Sequence, residues 1–176
     1  TKFPSNDRHI EHAPYMSSEV ILASSIPYEF QIAAVNAIGC DYWLNVPARA
    51  DETYVTTLAQ PCRDNLNPGI KVYLEWANET WNTMFIGLHS TEFVKNNYNS
   101  SVSDLFQAHA YMATRNTKIF RDIMGADRIV GILAGQAHSS GVLHNIVNSL
   151  SNPAINPDNV QMDAGAITGY FNPAQG

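Results

Sequence analysis

Lys71-Val72-Tyr73-Leu74-Glu75-Trp76-Ala77-Asn78-Glu79-Thr80-Trp81-Asn82 decides how the rest of this chain is read. It follows the turn signal Asn67-Pro68-Gly69 and opens as a β-branched and aromatic run, the composition of a strand buried in a parallel sheet. It then changes character at Asn78 and Glu79, where polar side chains are followed at once by aromatic and amide ones. An apolar strand whose carboxyl end carries a carboxylate is how (β/α) barrels present catalytic groups. The strands hold the residues still while the loops beyond them vary.

Working outward, the flanking segments alternate strand and helix. Glu19–Ser24 reads as a short strand. Glu29–Ile38 reads as a helix with Phe30, Ala33, Ala34, Ala37 and Ile38 on one face, closed by Gly39. Asp41–Val46 is a second strand, stopped by Pro47. Asp51 caps a helix that places Val55, Leu58, Ala59, Cys62 and Leu66 on one face, with a kink expected at Pro61. Residues 83–103 read as a long polar connection. Ser103 then caps a long helix over Asp104–Met124, with Leu105, Ala108, Met112, Ile119 and Ile123 inward, ended by Gly125. Arg128–Ala134 is a buried strand leading to Gln136 and His138. Ser139-Ser140-Gly141 opens a helix with Val142, Ile146, Val147 and Leu150 inward, and Met162–Phe171 is the last strand. The alternation predicts an α/β fold with a parallel sheet: a portion of a (β/α) barrel with about five strands and four helices, in one domain over residues 1–176. Trp43 and Trp76 lie within strands and are expected in the core.

Composition bounds the function. The chain has 176 residues, 45% of them apolar, and a formal charge of −6. That length supports one core but is short of the roughly 250 residues of a complete barrel. The acidic balance, with pI near 5.4, excludes the clustered Lys and Arg that nucleic acid demands. No apolar run reaches the roughly 18 residues of a membrane span. Six scattered histidines and two cysteines, Cys40 and Cys62, have no metal-ligand spacing, so neither metal nor cofactor is expected. Both thiols read as small buried residues, and the histidines other than His138 as surface ones.

Trp43-Leu44-Asn45-Val46-Pro47, Asp51-Glu52-Thr53-Tyr54, the run from Val72 to Asn82 with Phe85, Leu133-Ala134-Gly135-Gln136 and Ala166-Ile167-Thr168-Gly169-Tyr170-Phe171 together resemble bacterial, often marine, glycoside hydrolases of the large retaining (β/α)8 clan. The resemblance spans roughly residues 19–171 and matches the strands to the second through sixth of the barrel. It implies that Glu79 is the general acid/base and that Asn78 binds the sugar 2-hydroxyl. Trp81 and Asn82 beside them, with Asn45, Gln136, His138 and Tyr170 at other strand ends, are the candidate sugar contacts. The implied partner is a carbohydrate, and the implied location secreted or periplasmic. In that family the nucleophile is a second Glu on the seventh strand, which the match does not reach. The chain is therefore expected to be a portion of a longer barrel, or to associate with itself across open sheet edges. Glu75, four residues before Glu79 and about 13 Å down the strand, is too deep for the nucleophile and reads as an interior carboxylate paired with a buried donor. Two alternatives stand beside hydrolysis: a carbohydrate-binding module with the same mouth, and a structural half-barrel without a ligand.

Overall fold

The computed structural model describes residues 26–77, 80, 87–137 and 139–168. The elements run α1 (Tyr28–Ile38), β1 (Tyr42–Val46), α2 (Glu52–Asn65), β2 (Val72–Trp76), α3 (Gly87–Asn97), α4 (Leu105–Met124), a 3-10 turn (Ala126–Arg128), β3 (Ile129–Gln136), α5 (Ser140–Ser149) and β4 (Ala164–Thr168). The strand expected at 19–24 lies outside the described residues. The other four form one sheet in the order β1-β2-β3-β4, every pair parallel. Sequential parallel strands need crossovers of one hand, and without a reversal of order these place their helices on one side of the sheet.

The pleat separates the two faces. Tyr42, Leu44 and Val46 of β1 and Val72, Leu74 and Trp76 of β2 are buried in a core shared with Val55, Leu58, Ala59 and Cys62 of α2 and Ala108, Met112 and Phe120 of α4. The alternate residues Trp43, Asn45, Tyr73 and Glu75 point the other way. α4 is the central helix, packed on β2 and β3 and against α2, α3 and α5. The close approach has a local cause. Cβ atoms built on Gly131 and Gly135 of β3 would meet Thr117 Cγ2 and Leu143 Cβ, each at 2.8 Å, so glycine there lets α4 and α5 sit down on the strand.

The helix ends follow their sequence signals in most places. Asp51 caps α2, its Oδ1 accepting the Tyr54 N–H at 2.7 Å. All five residues expected on the inner face of α2 are buried, Leu66 as its C-cap. The helix continues through Pro61 to Asn65. Gly39 and Gly125 end α1 and α4 at φ of 71° and 93°, conformations that glycine adopts without strain.

Several expectations are corrected. The connection at 83–103 holds α3, stabilised where Val94 is buried and Phe93 meets Tyr98 edge-on at 5.6 Å. Its polar sequence hid a helix that only packing against α4 justifies. The cap of α4 is Asp104 rather than Ser103: the Asp104 carboxylate accepts the N–H groups of both Phe106 and Gln107 at 2.9 Å. In α1 the buried residues are Tyr28 and Ile32, whereas Phe30, Ala33, Ala34, Ala37 and Ile38 are exposed. Tyr28 wins because its hydroxyl meets that of Tyr54 at 3.1 Å, and Tyr42 donates to Gln31 at 2.8 Å, which together turn the helix. Trp43, Val147 and Cys40 are exposed rather than buried. β4 (Ala164–Thr168) starts two residues later than the expected Met162, and residues 169–171 of the strand expected there lie outside the described residues.

Candidate functional site

The face of the sheet opposite the helices carries the polar and aromatic groups. Trp43 of β1 lies in register with Tyr73 of β2, and their rings stack with centroids 5.7 Å apart and planes 14° from parallel. One pleat further toward the carboxyl end, Asn45 lies in register with Glu75. The Trp43 indole Nε1–H reaches across to donate to Glu75 Oε2 at 2.9 Å. Glu75 is paired with a donor, but that donor is the half-exposed Trp43 ring and not the buried group expected. Burial pushes the Glu75 carboxyl above its ordinary range, and the Trp43 hydrogen bond partly opposes that rise. The arrangement is a flat aromatic platform with a carboxylate and a primary amide on one side of it. Aromatic faces take the C–H faces of sugar rings, while carboxylates and amides take hydroxyls.

Gln136 ends β3, half-buried, and its backbone carbonyl accepts Ser139 N–H at 3.2 Å to close the turn into α5. Asn45 and Gln136 stand on either side of β2, but Asn45 is level with Glu75 and Ile132 while Gln136 lies four residues further along β3, which puts their backbones roughly 16 Å apart. A pocket of about 210 Å³ opens at the carboxyl end of β1, lined by Pro47, Arg49, Ala50, Asp51 and Tyr54. Larger hollows lie away from this face, one beside Arg115 and Lys118 on α4 and one beside Arg63 and Arg128 at the amino ends of the strands. Asn78, Glu79, Trp81, Asn82, His138 and Tyr170 lie outside the described residues.

Behind the end of β2, on the helix side, is a polar cluster that the sequence reading missed. His109, expected at the surface, is buried in α4. Its Nδ1 is 2.7 Å from the hydroxyl of Thr80, and its Nε2 accepts the backbone N–H of Ala134 in β3 at 3.3 Å. Because an amide can only donate, Nε2 must be the bare nitrogen; Nδ1 then carries the proton and gives it to Thr80 Oγ1. Burial drives the imidazole pKa down to about 3, so the ring is neutral at ordinary pH. Trp76 packs edge-on against it, centroids 5.6 Å apart. The signal was present in the sequence: His109 falls on the same stripe as Leu105, Ala108 and Met112.

Among the described residues no three His, Cys, Asp or Glu side chains gather as a metal site, and no helix is long and apolar enough to cross a membrane. No protein-family model, no curated protein and no solved structure matches this chain.

Proposed function

We propose that this chain is part of a carbohydrate-active (β/α) barrel whose sugar site lies at the carboxyl ends of its parallel strands. The observation that carries the reading is the Trp43–Tyr73 stack with Trp43 bonded to Glu75 on the sheet face opposite the helices. It supplies an aromatic surface and hydroxyl-binding groups on the side that a barrel would turn inward. The unreversed order of four parallel strands is compatible with the same architecture.

In this reading Glu79 is the general acid/base. It protonates the leaving glycosidic oxygen and later takes a proton from water, while Asn78 holds the 2-hydroxyl. A retaining displacement also requires a carboxylate nucleophile about 5–5.5 Å from the acid. Glu75 is not read as that nucleophile: it stands four residues before Glu79 in the sequence, about 13 Å if the chain between them is extended. Its role is to hold Trp43 and to line the floor of the site. Binding without hydrolysis is the second reading, favoured by the half-exposed Trp43 ring, which is open to a sugar whether or not a nucleophile is in place.

A panel of aryl glycosides assayed with the protein and with Glu79→Gln, beside calorimetric titration with oligosaccharides, separates these readings. Hydrolysis lost in E79Q supports the enzyme. Saccharide binding that survives E79Q and is lost in Trp43→Ala, without hydrolysis in either protein, supports the binding module. Neither binding nor hydrolysis by the wild-type chain rejects the carbohydrate reading altogether.

A further inference from the structure

We propose that His109 is a positioning residue that ties Thr80, four residues beyond β2, to Ala134 of β3 from behind the sheet. The inference rests on the reading of the carboxyl strand ends as the site. The β2–β3 ladder ends with Glu75 opposite Ile132. Two residues further along β3, the Ala134 N–H donates to the His109 ring at 3.3 Å. The other ring nitrogen holds Thr80, the residue immediately after Glu79 in the chain. A single rigid, neutral imidazole on a 20-residue helix thus ties the segment following Asn78-Glu79 to the strand that ends in Gln136.

The chemistry suits the task. A lone hydroxyl on Thr80 could rotate freely, but paired with a ring whose tautomer is fixed by Ala134 it has one geometry. Trp76 and the α4 core exclude water from the pair, so the strap does not exchange with solvent. His109 touches neither sugar nor reacting atoms in this scheme. Its effect passes through Thr80 and Ala134.

Three variants separate the strap from a general packing role. His109→Phe fills the space with a ring that has no polar atom. His109→Asn keeps an amide near the position of Nδ1 and not of Nε2. Thr80→Val removes only the hydroxyl. Backbone hydrogen exchange is read at residues 80 and 134, with Leu74 and Phe120 as core references. The expected result is exchange at least tenfold faster at both sites in H109F. In H109N protection should return at 80 and not at 134, and T80V should loosen 80 alone, with the core references unchanged throughout. Heteronuclear imidazole spectra should show the Nδ1–H tautomer without titration between pH 5 and 8. Uniform acceleration of exchange everywhere, no local change, or a titrating ring would overturn the strap. If the wild-type chain hydrolyses a glycoside, H109F and T80V should lower kcat about tenfold with KM within twofold. Unchanged kcat alongside local loosening would overturn the positioning role. Should the wild type neither bind nor cleave sugars, the functional reading fails, while the exchange pattern still decides whether the strap exists.

Discussion

Trp43→Phe is the perturbation that most directly tests the cluster on the sheet face opposite the helices. Phenylalanine keeps a ring to stack on Tyr73 and removes the donor that Glu75 Oε2 uses at 2.9 Å. A hydrogen bond to an ionised group contributes about 1.5–3 kcal/mol. Trp43 is 48% exposed, so water competes for both partners, and a net loss of about 1 kcal/mol is the reasonable figure. The loss should depend on pH. Burial raises the Glu75 carboxyl in the folded protein, and removing the Trp43 bond raises it further. A group raised on folding binds more protons in the native state, so its favourable contribution is complete below the unfolded value and is lost as pH rises through the folded value. Near pH 4, just below the unfolded glutamate value of about 4.3, Glu75 is largely protonated in both proteins and the donor matters little. Urea unfolding at pH 4 and at pH 7.5 should therefore show W43F trailing the wild type by about 1 kcal/mol at the higher pH and by clearly less at the lower, with equal m values. Carbon-13 titration of the Glu75 carboxyl should move upward in the variant. Equal destabilisation at both pH values, or a downward move, would refute the account.

Other perturbations address the frame that holds this face. Gly131→Ala sets a methyl 2.8 Å from Thr117 Cγ2 and should cost about 1–3 kcal/mol by thermal unfolding, with Thr117→Ala recovering most of that loss in the double variant. Asp51→Ala removes the cap of α2 and should lower stability by about 0.5–2 kcal/mol, whereas Asp51→Asn should lose much less. Asp163 Oδ2 accepts both Arg121 Nη2 and the Gly131 N–H at 2.6 Å, clamping α4 to the starts of β3 and β4. Asp163→Ala should cost about 1–3 kcal/mol in urea unfolding and speed amide exchange at Gly131 before the rest of β3.

Much of the frame was legible in the chain because its signals are local. The apolar runs at 72–76 and 129–135, the cap at Asp51 and the glycines after α1 and α4 each act through a few neighbouring residues. The parallel sheet followed from strand–helix alternation, since parallel neighbours require a long crossover. The candidate site was legible only in part. Asn45 and Gln136 do stand at strand ends on either side of β2, and Glu75 does pair with a donor. Asn78, Glu79, Trp81 and Asn82 lie outside the described residues, so their roles rest on the sequence alone.

What the sequence could not supply depends on which residues meet across distance. α1 has two apolar stripes, and the hydroxyl contacts of Tyr28 with Tyr54 and of Tyr42 with Gln31, made over 26 and 11 residues, selected the stripe that turns inward. α3 forms in a polar segment because Val94 finds the core. Trp43 reads as core by composition but falls on the free face, since strand parity fixes which side a residue takes and only the tertiary arrangement decides which side is covered. His109 lies on the inward stripe of α4, but only laying α4 on the sheet brings it to Thr80 and to Ala134 of β3. The chain alone therefore determined the four described strands, the helices other than α3 and the parallel pairing, through period, caps and breakers. The identity of the buried face, the Trp43–Glu75 pair and the His109 strap were decided by tertiary packing, because each joins groups on separate elements that no local pattern connects.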